Sequence, residues 1–202
     1  MEIAPLSIEG AWVVTPRQFP DSRGVFAEGF RVDHLAAVIG HDLVVRQTNV
    51  SVSTTGALRG IHYSDVPPSQ AKYVTATSGV FIDVVVDVRV GSPTFGQWDS
   101  VVLDTVDRRA VYLSEGLGHV LACLEGGTAI YLCSEVFNPT GERALTPLDT
   151  GVGLTFPPGF APLVSDKDAG APTLAAAREQ DLLPRYDDCL AYRASLGSST
   201  RV

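Results

Sequence analysis

The chain is predicted to be mainly β, a sandwich, jelly roll or barrel, and three observations lead there. From about residue 43 to 156 it runs as short β-branched stretches broken by Gly, Pro, Asp and Asn, with no helical period long enough to compete. These stretches follow one another at turn-signalled intervals instead of alternating with helices, which argues against an α/β sheet. The motifs GxGxxG, GxxxxGK[ST] and GxSxG, which mark common nucleotide-binding and hydrolase folds, are absent from the sequence.

Taken in order, the segment VDHLAAVIG at 32–40 predicts a peripheral helix. Strands are expected in LVVRQTNVSVS (43–53), KYVTATSG (72–79), VFIDVVVDVRV (80–90), WDSVVLD (98–104), RAVYLS (109–114), HVLACLE (119–125) and TAIYLCSEVF (128–137). Turns such as GSPTFG and NPTGE separate them. A second helix is expected over TLAAAREQDLLP, 173–184, opening on a threonine cap after Pro172 and stopping at Pro184. The last residues, SLGSSTRV, read as a frayed tail. The whole chain, 1–202, is expected to be one domain, with a β core over about 43–156 and a helical appendage over about 172–196.

Within VFIDVVVDVRV, alternation puts Val80, Ile82, Val84, Val86 and Val88 on one apolar face and Phe81, Asp83, Val85, Asp87 and Arg89 on the other. The first face is core. The second, mixed face suits solvent, an interface or the lining of a polar pocket, and the wet or interface reading is the expected one, since antiparallel strands commonly keep one solvated side.

With 202 residues, 45% of them hydrophobic, the chain is long enough to bury a sizeable core. A net charge of −8 argues against a general nucleic-acid or membrane-surface binder, which needs a basic face. The start, MEIAPLSIEG, lacks a signal peptide's basic and apolar regions, and nothing later approaches the roughly 18–20 apolar residues of a membrane span, so a cytoplasmic location is expected. Cys123, Cys133 and Cys189 form no CxxC pair and read as buried thiols.

Against this background the segment LRGIHYSDVPPSQAKY, 58–73, stands out, because it gathers Arg59, His62 and Lys72 in a chain with four histidines and two lysines. Arginine and lysine are costly to bury unpaired, so an anionic ligand explains such a cluster better than packing. Arg59 and His62 would face opposite sides of a regular strand, but Gly60 between them suggests a bulge that turns both toward one pocket. A metal site would need His62 and His119 with Asp65 or Glu125 in an unusual arrangement, and no HxH pair is present. His34 and His41, in or beside the first helix, read as surface residues. No serine or cysteine occupies a nucleophile elbow. Acid–base chemistry with electrostatic help remains.

At this point the chain resembles a known family. DSRGVFAEGF, RQTNVS, LRGIHY with QAKY, VGSPTFGQW, VYLSEGLGH, AIYLCSEVFNPTGE and PLVSDKD occur, between about residues 21 and 168, in the order of the metal-free cupin epimerases typified by dTDP-4-dehydrorhamnose 3,5-epimerase. The resemblance implies a cupin jelly roll (double-stranded β-helix) with short peripheral helices, a homodimer, and epimerisation of a dTDP-4-keto-6-deoxyhexose at C3, C5 or both, with no metal and no other cofactor. Loss of a proton beside a ketone passes through an enolate, so the reaction needs a base, donors to the enolate oxygen, and an acid on the opposite face.

By the same resemblance His62 is the base, Asp168 the carboxylate that orients it, Tyr131 the acid, and Lys72 the cation beside the keto oxygen and diphosphate. Arg23, Glu28, Gln47, Asn49, Arg59, His119, Glu142 and Lys167 match nucleotide and sugar contacts, and Phe137 the aromatic that stacks on thymine; some of the amino-terminal contacts reach the partner subunit in the family. Three departures bear on the product: the family's Asn-His-Ser is Asn49-Val50-Ser51, its aromatic pair is Val136-Phe137, and GLGHVLAC differs around His119. These departures resemble relatives that make unusual deoxysugars for natural-product glycosylation, some of which epimerise only C3 or only C5. A 3,4-ketoisomerase of the same substrates, a catalytically silent sugar-nucleotide-binding cupin and a metal-dependent cupin oxygenase are the alternatives.

Overall fold

In a computed structural model that describes residues 1–198, two long strands organise the chain. β7 (Lys72–Val86) and β10 (Gly118–Cys133) run antiparallel and pair along most of their length. Four of the predicted strands are halves of these two. Glycine accounts for the difference: Gly79 has φ 74°, and a Cβ on Gly127 would lie 2.1 Å from the Ser78 carbonyl oxygen. The pairing register slips between Cys123 and Ala129, so the glycines bend the ladder without ending it.

At the bend each long strand changes its outer neighbour. The start of β7 pairs with β9 (Ala110–Leu113) and its end with β8 (Trp98–Leu103). The start of β10 pairs with β6 (Ala57–Ser64) and its end with β5 (Gln47–Ser53). Two layers result. One continues through β9 into β2 (Ala11–Thr15) and β1 (Glu2–Pro5); the other continues through β6 into β11 (Glu142–Ala144). β12 (Leu163–Val164) adds to β6 in parallel, and β3 (Gln18–Asp21) with β4 (Gly24–Ala27) forms a separate hairpin. Strands thus extend on both sides of the expected 43–156 span, and the mainly β jelly-roll class is the one observed.

The space between the layers is filled by Val74, Phe81, Val85, Leu103, Val111 and Leu121. Outside one layer, Leu35 of α1 (Val32–Ile39) and Leu43 pack on Tyr73 and Tyr112. Outside the other, Leu174 and Ala177 of α3 (Leu174–Glu179) join a cluster with Val84 and Val86. Both faces of β7 are therefore covered, which overturns the expectation of a wet or interface face. Asp83, Asp87 and Arg89 are fully buried beside Phe81 and Val85, because a central strand of two packed layers has no free side.

The predicted first helix is present and ends at Gly40, which takes the left-handed φ of 88°. The chain then turns inward, and His41 is buried, not exposed as expected; His34 is on the surface. The second helix has its Thr173 cap, whose hydroxyl accepts from the Ala176 N–H, but it stops at Glu179 instead of 184. Asp181 adopts φ 53°, and the N–H groups of Asp181 and Leu182 return to the carbonyls of Arg178 and Ala177, a Schellman cap with aspartate in the usual glycine position. A further helix, α4 (Tyr186–Ser198), takes up the first four residues of the expected tail; residues 199–202 lie outside the described part. No helix among the described residues is long and apolar enough to cross a membrane, and all three cysteines are buried free thiols.

The GSPTFG turn owes its shape to a buried ion pair. Arg89 donates from Nε and Nη2 to the two oxygens of Asp87, at 2.9 and 2.8 Å, and the hydroxyls of Ser92 and Thr94 donate to Asp87 Oδ2 at 2.5 and 2.6 Å. Burial alone would raise the Asp87 pKa, but Arg89 and the two hydroxyls outweigh it and hold the carboxyl below its ordinary value. Removing one partner leaves a buried charge uncompensated, so Arg89→Ala is expected to cost about 3–5 kcal/mol of stability and Ser92→Ala about 1 kcal/mol. Urea denaturation of both variants checks this; equal losses would contradict it.

Candidate active site

The site is built on β6, and the sequence ALRGIHYS explains how. His119 of β10 lies opposite His62, whereas Leu121, two residues on, lies opposite Arg59, three residues back, so β6 carries one extra residue. That extra residue is a bulge at Gly60, where φ is 114° and a Cβ would lie 2.3 Å from the His119 carbonyl oxygen. The bulge expected from the sequence is there. It turns His62 inward, while Arg59 occupies the exposed end of the site, donating from Nε to Ser53 Oγ at 3.2 Å.

His62 meets Asp168 across 106 residues of chain, with Nε2 and Oδ1 2.9 Å apart. The parallel pairing of β12 on Ala57 and Leu58 delivers this segment to β6, and α2 (Asp166–Ala169) follows at once. The Ser165 hydroxyl caps α2 by accepting from the Asp168 N–H, and the Gly60 N–H donates to Asp168 Oδ2 at 3.4 Å. A carboxylate can only accept, so Nε2 carries the hydrogen and Nδ1 is the basic nitrogen. Desolvation lowers the His62 pKa below its ordinary value against the pull of Asp168, with Lys72 and His119 adding to the decrease. The imidazole is neutral at neutral pH.

A second histidine–carboxylate pair stands beside the first. His119, the direct cross-strand neighbour of His62, has Nε2 2.7 Å from Oδ2 of Asp83. Asp83 is a site residue that sequence reasoning assigned to a wet face; the signal available was an acid interrupting an otherwise apolar strand. The His119 ring meets Tyr131 edge-on, with centroids 5.6 Å apart. Burial pushes the Tyr131 phenol up to about 12, opposed by a hydrogen bond with Ser51 and the charge of Arg59. It therefore remains a proton donor well above neutral pH.

Lys72, the first residue of β7, is buried opposite Cys133. Among the described residues it has no carboxylate partner, and a buried ammonium without one calls for an anionic or strongly polar ligand. Gln47 and Asn49 lie on the inward face of β5, joined by a 2.7 Å hydrogen bond from Gln47 Nε2, and Asn49 Nδ2 reaches Cys133 Sγ at 3.7 Å. Gln47 also accepts from the Phe137 N–H at 2.8 Å, which ties an exposed aromatic ring to the site. Glu142 accepts from Ser64 at the end of β6. Beside it a cleft of about 330 Å³ opens, lined by Pro68, Gln70, Val136, Phe137 and Asn138.

The structure thus brings together His62, Asp168, His119, Tyr131, Lys72, Arg59, Gln47 and Asn49, with Phe137 and Glu142 at the margin. It leaves three predicted residues outside this group. Arg23 is exposed on the β3–β4 hairpin and grips Asp21, Glu28 is exposed and paired with Arg31, and Lys167 is exposed on α2. Asp65, one candidate metal ligand, is held by Arg143 in a two-point ion pair, and Glu125, the other, is exposed. Among the described residues no group of three or more His, Cys, Asp or Glu is placed to hold a metal ion.

The arrangement sets an imidazole nitrogen, a phenol and a buried lysine side chain in one region, the groups that acid–base chemistry at a carbon requires. Comparison with known proteins identifies the family. The family model described as dTDP-4-dehydrorhamnose 3,5-epimerase matches residues 5–176. The chain is 49% identical to a dTDP-4-dehydrorhamnose 3,5-epimerase of Mycolicibacterium smegmatis, covering 97% of each. It is 50% identical to a dTDP-4-dehydrorhamnose 3-epimerase of Streptomyces niveus, covering 95% of this chain and 92% of that one. Among solved structures it resembles a 3′-monoepimerase from Streptomyces bikiniensis in complex with dTDP-quinovose, with a TM-score of 0.93, 46% identity, and coverage of 96% and 98%. With its jelly roll and its paired histidines, the chain belongs to the dTDP-4-dehydrorhamnose 3,5-epimerase family, a family of isomerases.

Proposed function

We propose that the protein epimerises a dTDP-4-keto-6-deoxyhexose at C3, C5 or both, in deoxysugar biosynthesis for natural-product glycosylation. The observation that carries this reading is a neutral imidazole, oriented by a buried carboxylate, sharing one site with a protonated phenol and a buried lysine that has no carboxylate partner among the described residues. His62 Nδ1 removes a proton α to the ketone, and the C–H electron pair moves into the enolate, whose oxygen Lys72 stabilises. Tyr131 then protonates the carbon from the other face, leaving phenolate and imidazolium to exchange with solvent. Gln47, Asn49, Arg59, His119 and Glu142 hold the sugar and diphosphate, and the cleft beside Phe137 takes the thymine ring.

Relatives of nearly equal identity include both double and single epimerases, so overall similarity does not separate the two products. Val50, where the family has histidine, points away from the site and is 64% exposed, whereas Val136 lines the cleft. The homodimer expected from the resemblance has support of its own. β5 is inverted, with Gln47, Asn49, Ser51 and Ser53 inward and Val50 and Val52 outward, and Phe26 of the hairpin is also exposed. An apolar outer row on an edge strand suits burial against a second copy. On this reading Arg23 and Glu28 serve the partner's site, as some amino-terminal contacts do in the family the chain resembles. A cytoplasmic location belongs to the same reading.

Proton NMR with dTDP-4-keto-6-deoxyglucose in D₂O tests the reaction. Loss of the C3 signal alone, the C5 signal alone or both identifies the product, and His62→Ala is expected to slow the exchange on the order of 10²–10⁴-fold. Exchange at the wild-type rate in that variant would overturn the base assignment. Because the His62 pKa is depressed, the base stays neutral on the acid side of its ordinary value of 6.5, so the acid limb of kcat/KM is expected below pH 6.5 and the profile flat through the range in which Tyr131 is protonated. An acid limb centred above that value would contradict this. Sedimentation is expected to give twice the 21.4 kDa chain mass, with Val52→Lys shifting the equilibrium toward monomer.

A further inference from the structure

β5 carries two inward serines, Ser51 and Ser53, that the reaction as described does not use. Ser51 lies opposite Ala129 of β10, and Tyr131 lies opposite Asn49, so Ser51 and Tyr131 are diagonal neighbours on one face of an antiparallel pair. Of the side chains acting on the phenol, Ser51 is the one that most opposes the rise that burial imposes on its pKa. Behind Ser51, the Ser53 hydroxyl is 3.5 Å from it, and Ser53 accepts from Arg59 Nε at 3.2 Å while Arg59 Nη2 donates to the Val52 carbonyl at 3.4 Å. The row runs from the half-buried phenol to an exposed guanidinium. Its placement is costly in ordinary strand terms, since it turns hydroxyls inward and leaves Val50 and Val52 exposed at 64% and 74%.

We infer that Ser51, backed by Ser53 and Arg59, is the positioning residue for Tyr131: it aims the phenol at the enolate carbon and stabilises the phenolate left after proton transfer. The inference rests on the reading of Tyr131 as the carbon acid. In that step the phenol O–H bond breaks, a C–H bond forms with the enolate electron pair, and the negative charge moves to the phenol oxygen. The Ser51 hydroxyl is then a donor to a charged acceptor, where a hydrogen bond is strongest. The other groups facing the phenol do not replace it. The His119 ring presents an edge contact, Asp83 opposes a negative phenolate, Cys133 is a neutral thiol neighbour, and Arg59 acts from the exposed end.

The test separates removal of the proton from its return. With dTDP-4-keto-6-deoxyglucose in D₂O, deuterium entering uninverted substrate reports His62, and formation of inverted product reports Tyr131. Ser51→Ala is expected to reduce inversion about 10- to 100-fold, the worth of one hydrogen bond to a charged group, while exchange stays within about twofold of wild type. The alkaline limb of kcat is expected to move to higher pH, since the phenolate loses a donor, and Ser51→Thr to restore both. Wild-type inversion in Ser51→Ala, or a parallel fall of exchange and inversion that threonine does not rescue, would overturn the inference. Tyr131→Phe is the control on the reading beneath it: if that variant still inverts normally, the acid assignment fails and the role of Ser51 fails with it.

Discussion

The pairing of β7 with β10 is the constraint on which the rest depends. Lys72 and Asp83 come from one strand and His119 and Tyr131 from the other, so four groups of the site are placed by a single antiparallel ladder. Because the ladder bends at Gly79 and Gly127, the same two strands serve both layers. That continuity is why a lysine at the start of β7 and an aspartate eleven positions later, in the other half of the strand, act on the same small region. A break at the glycines would separate the charges that the site needs close together.

Buried polar groups distinguish architecture from chemistry in this interior. Asp87 is fully committed, with Arg89, Ser92 and Thr94 converging on its carboxylate. Each histidine of the site is only half committed, one nitrogen held by a carboxylate and the other left to act. Lys72 has no carboxylate at all among the described residues. A charge left unpaired in a low-dielectric setting is unfavourable for folding alone, and it is the kind of departure expected where a ligand supplies the missing partner.

Much of the scheme was legible along the chain. The β class followed from short β-branched stretches, the Gly60 bulge from a glycine between Arg59 and His62, and the family from LRGIHY, SPTFGQW and GLGH. The misses have physical reasons. The sequence pattern predicts four strands where two exist, because glycine signals a bend as readily as an end when neighbours pair on both sides. The second helix was read too long because its Schellman cap uses Asp181 instead of glycine. Asp83 was read as wet because alternation reports that a strand has two faces without reporting what covers each.

The sequence by itself determined the local terms: which stretches extend, where Gly40 and Thr173 delimit helices, and that Lys72, one of only two lysines, is too costly to bury as packing alone. Only the tertiary structure decided the long-range ones. Asp168 reaches His62 because β12 docks on β6, His119 finds Asp83 because β7 lies beside β10, and the register of β5 on β10 turns its serines inward and its valines outward. Side-chain periodicity fixes relations over a few residues, whereas a proton-transfer site is assembled from strands whose order and covering depend on the packing of the whole chain.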